Sequence, residues 1–214
     1  MREFDTPMGL QAQPEVTSSY GSVTRQMRAE LNQQEGCVVW FTGLSGAGKS
    51  TLANQLEIAL YRKGFRTFTM DGDNMRQGLC NGLGFSAADR AENIRRIAET
   101  ARMFVDAGVI TLVACISPTR EDRVRAKRII GPESFLEVWL DCPLEVCEKR
   151  DVKGLYRKAR TGELKQFTGI SAPYEPPLEP ELVLQTGQVD VDTCVASVIA
   201  KMRPQRTVLQ SPLS

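Results

Sequence analysis

The chain has 214 residues, 42% of them hydrophobic and 25% charged, which suits one globular domain with a core of its own. Its 27 Lys and Arg nearly balance 26 Asp and Glu, so a surface built throughout for nucleic acid or anionic membrane is excluded, and only local patches remain open. Histidine is absent, which excludes a histidine base, a histidine zinc ligand and a Ser-His-Asp triad, and 7% aromatics leave little for base-stacking platforms.

Residues 1–22 are polar and carry no periodicity, and are expected to form a flexible arm. A short helix is expected over 23–32. The continuous apolar run 37–41 then ends at Gly43, as a buried parallel strand would. A helix follows over 48–62, a second strand over 65–70, and a long helix over 86–105 with Ile94, Ile97, Ala98, Ala101 and Val105 on one stripe. Ser86 and Asp89 resemble a capping box at its start, with Asp in place of Glu or Gln. Strands over 109–116, 135–140 and 182–185 alternate with helices over 120–130, 143–150 and 191–202. Residues 204–214 read as a flexible tail, which leaves a domain over 23–203. Strands alternating with helices imply an α/β fold: a five-stranded, mainly parallel sheet with helices on both faces.

The six cysteines include no C-x-x-C pair, and Cys37, Cys115 and Cys194 lie in apolar segments. They are expected to be reduced and structural. No apolar run reaches the roughly 18 residues of a membrane span, and the first residues lack a basic stretch leading into an apolar one. A cytoplasmic location is expected by default, with no membrane and no nucleic acid as partners.

The strongest signal is Gly43-Leu44-Ser45-Gly46-Ala47-Gly48-Lys49-Ser50, which fits G-x-x-x-x-G-K-[ST] at every fixed position. It follows an apolar strand and opens a helix, the context in which that spacing cradles phosphates. Glycines let backbone N–H groups point inward, and the helix N-terminus adds partial positive charge. Lys49 can reach the β- and γ-phosphates, and the Ser50 hydroxyl can ligate Mg²⁺. The motif fixes a nucleoside triphosphate and leaves the phosphoryl acceptor open.

Three clusters bear on the acceptor. Asp71-Gly72-Asp73-Asn74-Met75-Arg76 follows the second strand, whose carboxyl end faces the ligand crevice of a parallel sheet. With no histidine, Asp71 or Asp73 is the natural acceptor for a hydroxyl proton or organiser of a metal's water shell, and Asn74 and Arg76 would face a polar or anionic acceptor. An ordinary Asp-Gly turn is the alternative. Arg90 and Asn93 share a face of a first helical turn, next to Phe85, which suits an anion and a stacked base; the alternative is a local carboxylate partner for Arg90. Residues 149–165 hold seven Lys or Arg against Asp151 and Glu163, with Gly154 and Gly162 as hinges. That segment reads as a mobile lid over polyanionic substrates, or else as a solvated helix.

Taken together with Trp40-Phe41-Thr42 before the loop, Leu83-Gly84-Phe85-Ser86, Glu92-Asn93-Ile94-Arg95-Arg96, Ile116-Ser117-Pro118, Asp151-Val152-Lys153-Gly154-Leu155-Tyr156, Phe167-Thr168-Gly169-Ile170 and Pro173-Tyr174-Glu175, these motifs resemble the adenylyl-sulfate kinase family of phosphate-loop kinases. The resemblance runs from about Val23 to Met202. It implies transfer of the ATP γ-phosphoryl to the ribose 3′-hydroxyl of adenylyl sulfate, with Mg²⁺ accompanying ATP. It assigns Gly46, Ala47, Gly48, Lys49, Ser50 and Thr51 to ATP, beside Gly43 and Ser45 of the loop. Arg76, Phe85, Arg90, Asn93, Ile116, Ser117, Lys153 and Phe167 would line the adenylyl-sulfate pocket, with Asp73 and Asn74. Cys115 departs from the phenylalanine usual in the family. The family treats Ser117 as a candidate phosphoserine intermediate; with no adjacent base to activate it, direct transfer is the expectation. A homodimer is expected, and a separate ATP sulfurylase chain stays open as a partner. Gluconate-, shikimate- and nucleotide-kinase types would lack the Asp-Gly-Asp-Asn and Phe-Thr-Gly-Ile pair, and a GTPase would carry Asn-Lys-x-Asp, which is absent.

Overall fold

The computed structural model describes residues 21–202. The arm expected over 1–22, save its last two residues, and the tail expected over 204–214 lie outside them. The sheet is built from β1 (Cys37–Thr42), β2 (Thr67–Asp71), β3 (Ile110–Ala114), β4 (Phe135–Leu140) and β5 (Leu182–Leu184), in the order β2-β3-β1-β4-β5. Every pairing is parallel. The helices are α1 (Arg25–Asn32), α2 (Lys49–Arg62), α3 (Gly72–Gln77), α4 (Ala87–Asp106), α5 (Arg120–Ile130), α6 (Leu144–Arg150), α7 (Leu155–Arg160) and α8 (Val191–Met202).

β1 is central because it is apolar on both faces and both must be covered. Val38 and Trp40 pack with Ile94, Ile97 and Ala101 of α4 and Ala126 and Ile130 of α5. Val39 and Phe41 pack with Leu52, Leu56 and Leu60 of α2 and Val195 and Val198 of α8. β2 and β3 lie on one side of β1, β4 and β5 on the other, so a crevice opens at its carboxyl end.

Local chemistry sets the helix starts. Ser86 accepts from the Asp89 N–H at 3.1 Å and donates to Asp89 Oδ2 at 2.6 Å. Asp, one methylene shorter than Glu, thus takes the cap hydroxyl, a variant of the expected box. Thr119 and Asp122 repeat the arrangement at α5. One helix was not expected, and another was only the alternative reading of the basic segment. Residues 72–77 form α3 rather than an Asp-Gly turn, because Asp71 Oδ1 accepts from the Asp73 N–H at 2.9 Å and caps it. Within the basic segment, α7 starts where Asp151 accepts from the N–H groups of Tyr156 and Arg157. The six cysteines are free thiols, five of them buried. Among the described residues no helix is long and apolar enough to cross a membrane.

Candidate active site

The phosphate loop joins β1 to α2 in the crevice. Gly43 has φ +148 and Gly46 φ +75, and a Cβ at either would lie 2.8 Å from a carbonyl oxygen, of Leu140 and Cys147 respectively. Glycine is therefore required both by the backbone and by its approach to β4 and α6. All five carbonyls from Gly43 to Ala47 are held. Lys49 Nζ donates to Gly43 at 2.9 Å and Leu44 at 2.7 Å. The Tyr156 hydroxyl donates to Ser45 at 2.9 Å, Arg150 to Gly46 at 3.1 Å and the Thr186 hydroxyl to Ala47 at 2.8 Å. An anion-binding loop needs its carbonyls occupied elsewhere, since a free one would repel phosphate. Lys49 is buried, and the cost of burying its charge pulls its pKa down to about 8, against the partial offset of Asp71 and Asp73. Arg150, Tyr156 and Thr186 had not been assigned to ATP; Arg150 stood in the basic cluster and Tyr156 in a family motif, while Thr186 gave no signal.

The carboxylates meet the loop at Ser50. Its hydroxyl donates to Asp71 Oδ2 at 2.5 Å. Asp73, in the first turn of α3, is ion-paired with Lys153, whose pKa is raised by that hydrogen bond. A hydroxyl and carboxylates are hard oxygen donors. That fits Mg²⁺, which keeps most of its waters and takes one or two protein ligands beside substrate phosphates.

The cleft, about 740 Å³, runs on past Asp73. Phe85 is 58% exposed there, with the Arg76 guanidinium 4.4 Å and that of Arg90 5.5 Å from its ring centroid. Arg76 donates to the Leu83 and Gly84 carbonyls. Arg90 donates to the carbonyls of Phe85 and Gln166 and to the Thr168 hydroxyl, all neutral oxygens, so the alternative of a carboxylate partner is not what the structure shows. Burial first, and Arg76 second, hold the Arg90 pKa below the usual arginine range. Asn93 is 5% exposed, and its Oδ1 accepts no hydrogen bond. An orphaned buried acceptor facing a cleft is a place for a ligand donor. Phe167 lines the opposite wall, edge-on to Tyr156 at 5.0 Å.

Ile116 and Ser117 line the cleft beyond β3. Ser117 is only 1% exposed; its hydroxyl accepts from Trp40 Nε1 at 3.1 Å and donates to the Cys115 carbonyl at 3.5 Å. Asn74, expected to face the acceptor, is exposed on α3 and does not line the cleft, and Gly43 contributes its carbonyl to Lys49 rather than a wall. The basic segment is anchored over 156–160: Tyr156 and Ala159 are buried, and Arg160 makes a two-pronged pair with Glu148 at 2.9 Å.

The Adenylylsulphate kinase family model matches residues 35–185, a span that holds all five strands. A probable adenylyl-sulfate kinase of Halalkalibacterium halodurans is 52% identical over 200 residues, covering 94% of this chain and 99% of that protein. An adenylyl-sulfate kinase of Geotalea daltonii is 59% identical over 172 residues, 80% of this chain and 85% of its own. The solved structure of the Mycobacterium tuberculosis APS kinase in complex with AMPPNP and APS has a TM-score of 0.77 at 46% identity, over 79% of this chain and 99% of that one. The match takes in the phosphate loop, α3 and the Ile116–Pro118 turn alike, and this chain belongs to the adenylyl-sulfate kinase family of ATP-dependent kinases.

Proposed function

We propose that this chain carries out the family's reaction by direct, in-line transfer: the γ-phosphoryl of ATP passes to the ribose 3′-hydroxyl of adenylyl sulfate, giving ADP and 3′-phosphoadenylyl sulfate. The observation that carries direct transfer is the Ser117 hydroxyl, buried between an indole N–H and a backbone carbonyl. Neither partner is a base that could activate it as a nucleophile.

The remaining residues divide by position. The loop from Gly43 to Ser50 holds the ATP phosphates, with Lys49 as the charge beside the transferring group. Ser50 with Asp71 would hold Mg²⁺, which when bound neutralises phosphate charge. Asp71 is already engaged by Ser50 and by the Asp73 N–H. Asp73 is the carboxylate left to orient the 3′-hydroxyl and take its proton, and Lys153 holds it in place. Phe85 and Phe167 offer faces for the adenine, Arg76 and Arg90 meet the phosphosulfate, and Asn93 Oδ1 accepts from the acceptor. ADP release with adenylyl sulfate, against adenosine monophosphate and gluconate as controls, tests the reaction.

Rapid quench with labelled ATP tests the route. Ser117→Ala should keep more than about a tenth of wild-type turnover, because a lost neutral hydrogen bond amounts to about 1 kcal/mol. A dead Ser117→Ala variant, with a labelled wild-type phosphoenzyme that decays as product appears, would overturn direct transfer. The acceptor end has its own test. Arg90→Ala should weaken adenylyl-sulfate binding by roughly 1.5–3 kcal/mol, the worth of a charged hydrogen-bond donor, and leave ATP binding near normal. Calorimetry that finds equal losses for both ligands would move Arg90 out of the acceptor pocket.

A further inference from the structure

Buried contacts outside the cleft hold the wall at the end of β3. Ser117 has φ +39, a left-handed backbone that is costly for a non-glycine residue. It also precedes Pro118, which pushes a residue toward extended conformations. Such a turn persists only where its surroundings over-determine it. Trp40 Nε1 holds the Ser117 hydroxyl at 3.1 Å, and Thr42 Oγ1 donates to the Ile116 carbonyl at 2.8 Å. The third holder is Arg123, which donates from Nη1 to the Ser117 carbonyl at 2.6 Å.

Arg123 is 2% exposed and does not line the cleft. Its Nη2 donates to the Glu175 carbonyl at 2.6 Å, its Nε lies 2.8 Å from Glu137 Oε1, and its guanidinium packs 5.7 Å from the Tyr174 ring centroid. The Glu175 N–H in turn donates to the Pro118 carbonyl at 2.8 Å. One cation thereby ties the turn after β3 to β4 and to the chain at 174–175. Three oxygens in three directions call for a planar fork; a lysine has a single nitrogen to offer them. Burial raises the Glu137 pKa and Arg123 opposes that rise, so the two charges answer one another. A buried ion pair is weak ground for stability alone, since apolar replacements are often as stable.

We propose that Arg123, charge-balanced by Glu137, is a positioning residue that fixes the Ser117–Pro118 turn and with it the acceptor wall of the cleft. The inference rests on the adenylyl-sulfate reading only for the choice of substrate whose KM reports the wall. The geometry of the turn has a separate readout. The chain has two tryptophans, so Trp139→Phe leaves Trp40, whose indole touches Ser117, as the lone emitter.

In that background two variants are compared with the parent. Arg123→Lys keeps a cation for Glu137 but cannot span the Ser117 and Glu175 carbonyls. Arg123→Met with Glu137→Gln removes both charges and leaves none unpaired. In each, the KM for adenylyl sulfate should rise by roughly tenfold or more, the loss of one charged hydrogen bond. The KM for ATP should stay put, kcat should fall less than the acceptor KM rises, and Trp40 emission without substrates should shift. A parental acceptor KM with parental Trp40 emission, in whichever of the two variants folds, would overturn the proposal, as would equal rises in both KM values. A parent that releases no ADP with adenylyl sulfate would instead overturn the reaction assignment, and Trp40 emission would still test the clamp.

Discussion

Asp73→Asn should lower kcat by about 10²–10⁴, the range that positioned general bases contribute, with ATP affinity near wild type. Asn keeps the size of the side chain, and the backbone N–H of residue 73 can still bond to Asp71. What disappears is the charge that pairs with Lys153 and, in the proposed reaction, receives the 3′-hydroxyl proton. Asp71→Asn is the necessary comparison. Asp71 faces Ser50, so its loss should weaken the ATP–Mg²⁺ complex as well as turnover. Single-turnover rates at saturating ATP separate the two. If Asp73→Asn keeps more than about a tenth of the rate while Asp71→Asn is crippled at saturation, the base is Asp71 and the roles are reversed.

Lys49→Ala should reduce turnover by on the order of 10²–10³, as removal of a preorganised charge from a reacting centre does. The variant should still fold. Truncation leaves the Gly43 and Leu44 carbonyls without their donor, which costs roughly 1–3 kcal/mol, and a melting curve should show that drop and no more. The wild type offers a matching pH test. The Lys49 pKa of about 8 means that the cation is present below that value and is lost as pH rises through it. ATP affinity should therefore fall across pH 8 in the wild type and show no such step in Lys49→Ala. Calorimetry at several pH values reads both, and a Lys49→Ala enzyme within tenfold of wild type would contradict the assignment.

The parts of this molecule that were legible in the sequence are those set by local pattern. β1 reads from five apolar residues in a row, α4 from its stripe and cap, and the phosphate loop from fixed spacing. The parts that were not legible depend on distant partners. α3 has Gly72 at its first position and no buried residue, so nothing in its composition marks a helix; its cap, Asp71, looked like half of a carboxylate pair. α3 also leaves Asn74 exposed, and it does not line the cleft. α7 looked like charge over a substrate, while a single aromatic, Tyr156, decides that it docks on the loop. Ser117 was expected to face the crevice, and it lines the cleft. That its hydroxyl is occupied by Trp40, 77 positions away, is a tertiary fact that no local pattern carries.

The central place of β1 has a consequence for how the chain is made. β1 pairs with β3 on one edge and with β4 on the other, and the loop at its end rests against Leu140 and Cys147. As synthesis proceeds from the N-terminus, β2, β3 and β1 can assemble first, but the nucleotide cradle has no floor until residue 147 has emerged. Until β4 arrives, the edge of β1, apolar along almost its whole length, stands open to any passing strand, which makes that interval the one in which the nascent chain most needs shielding from its neighbours.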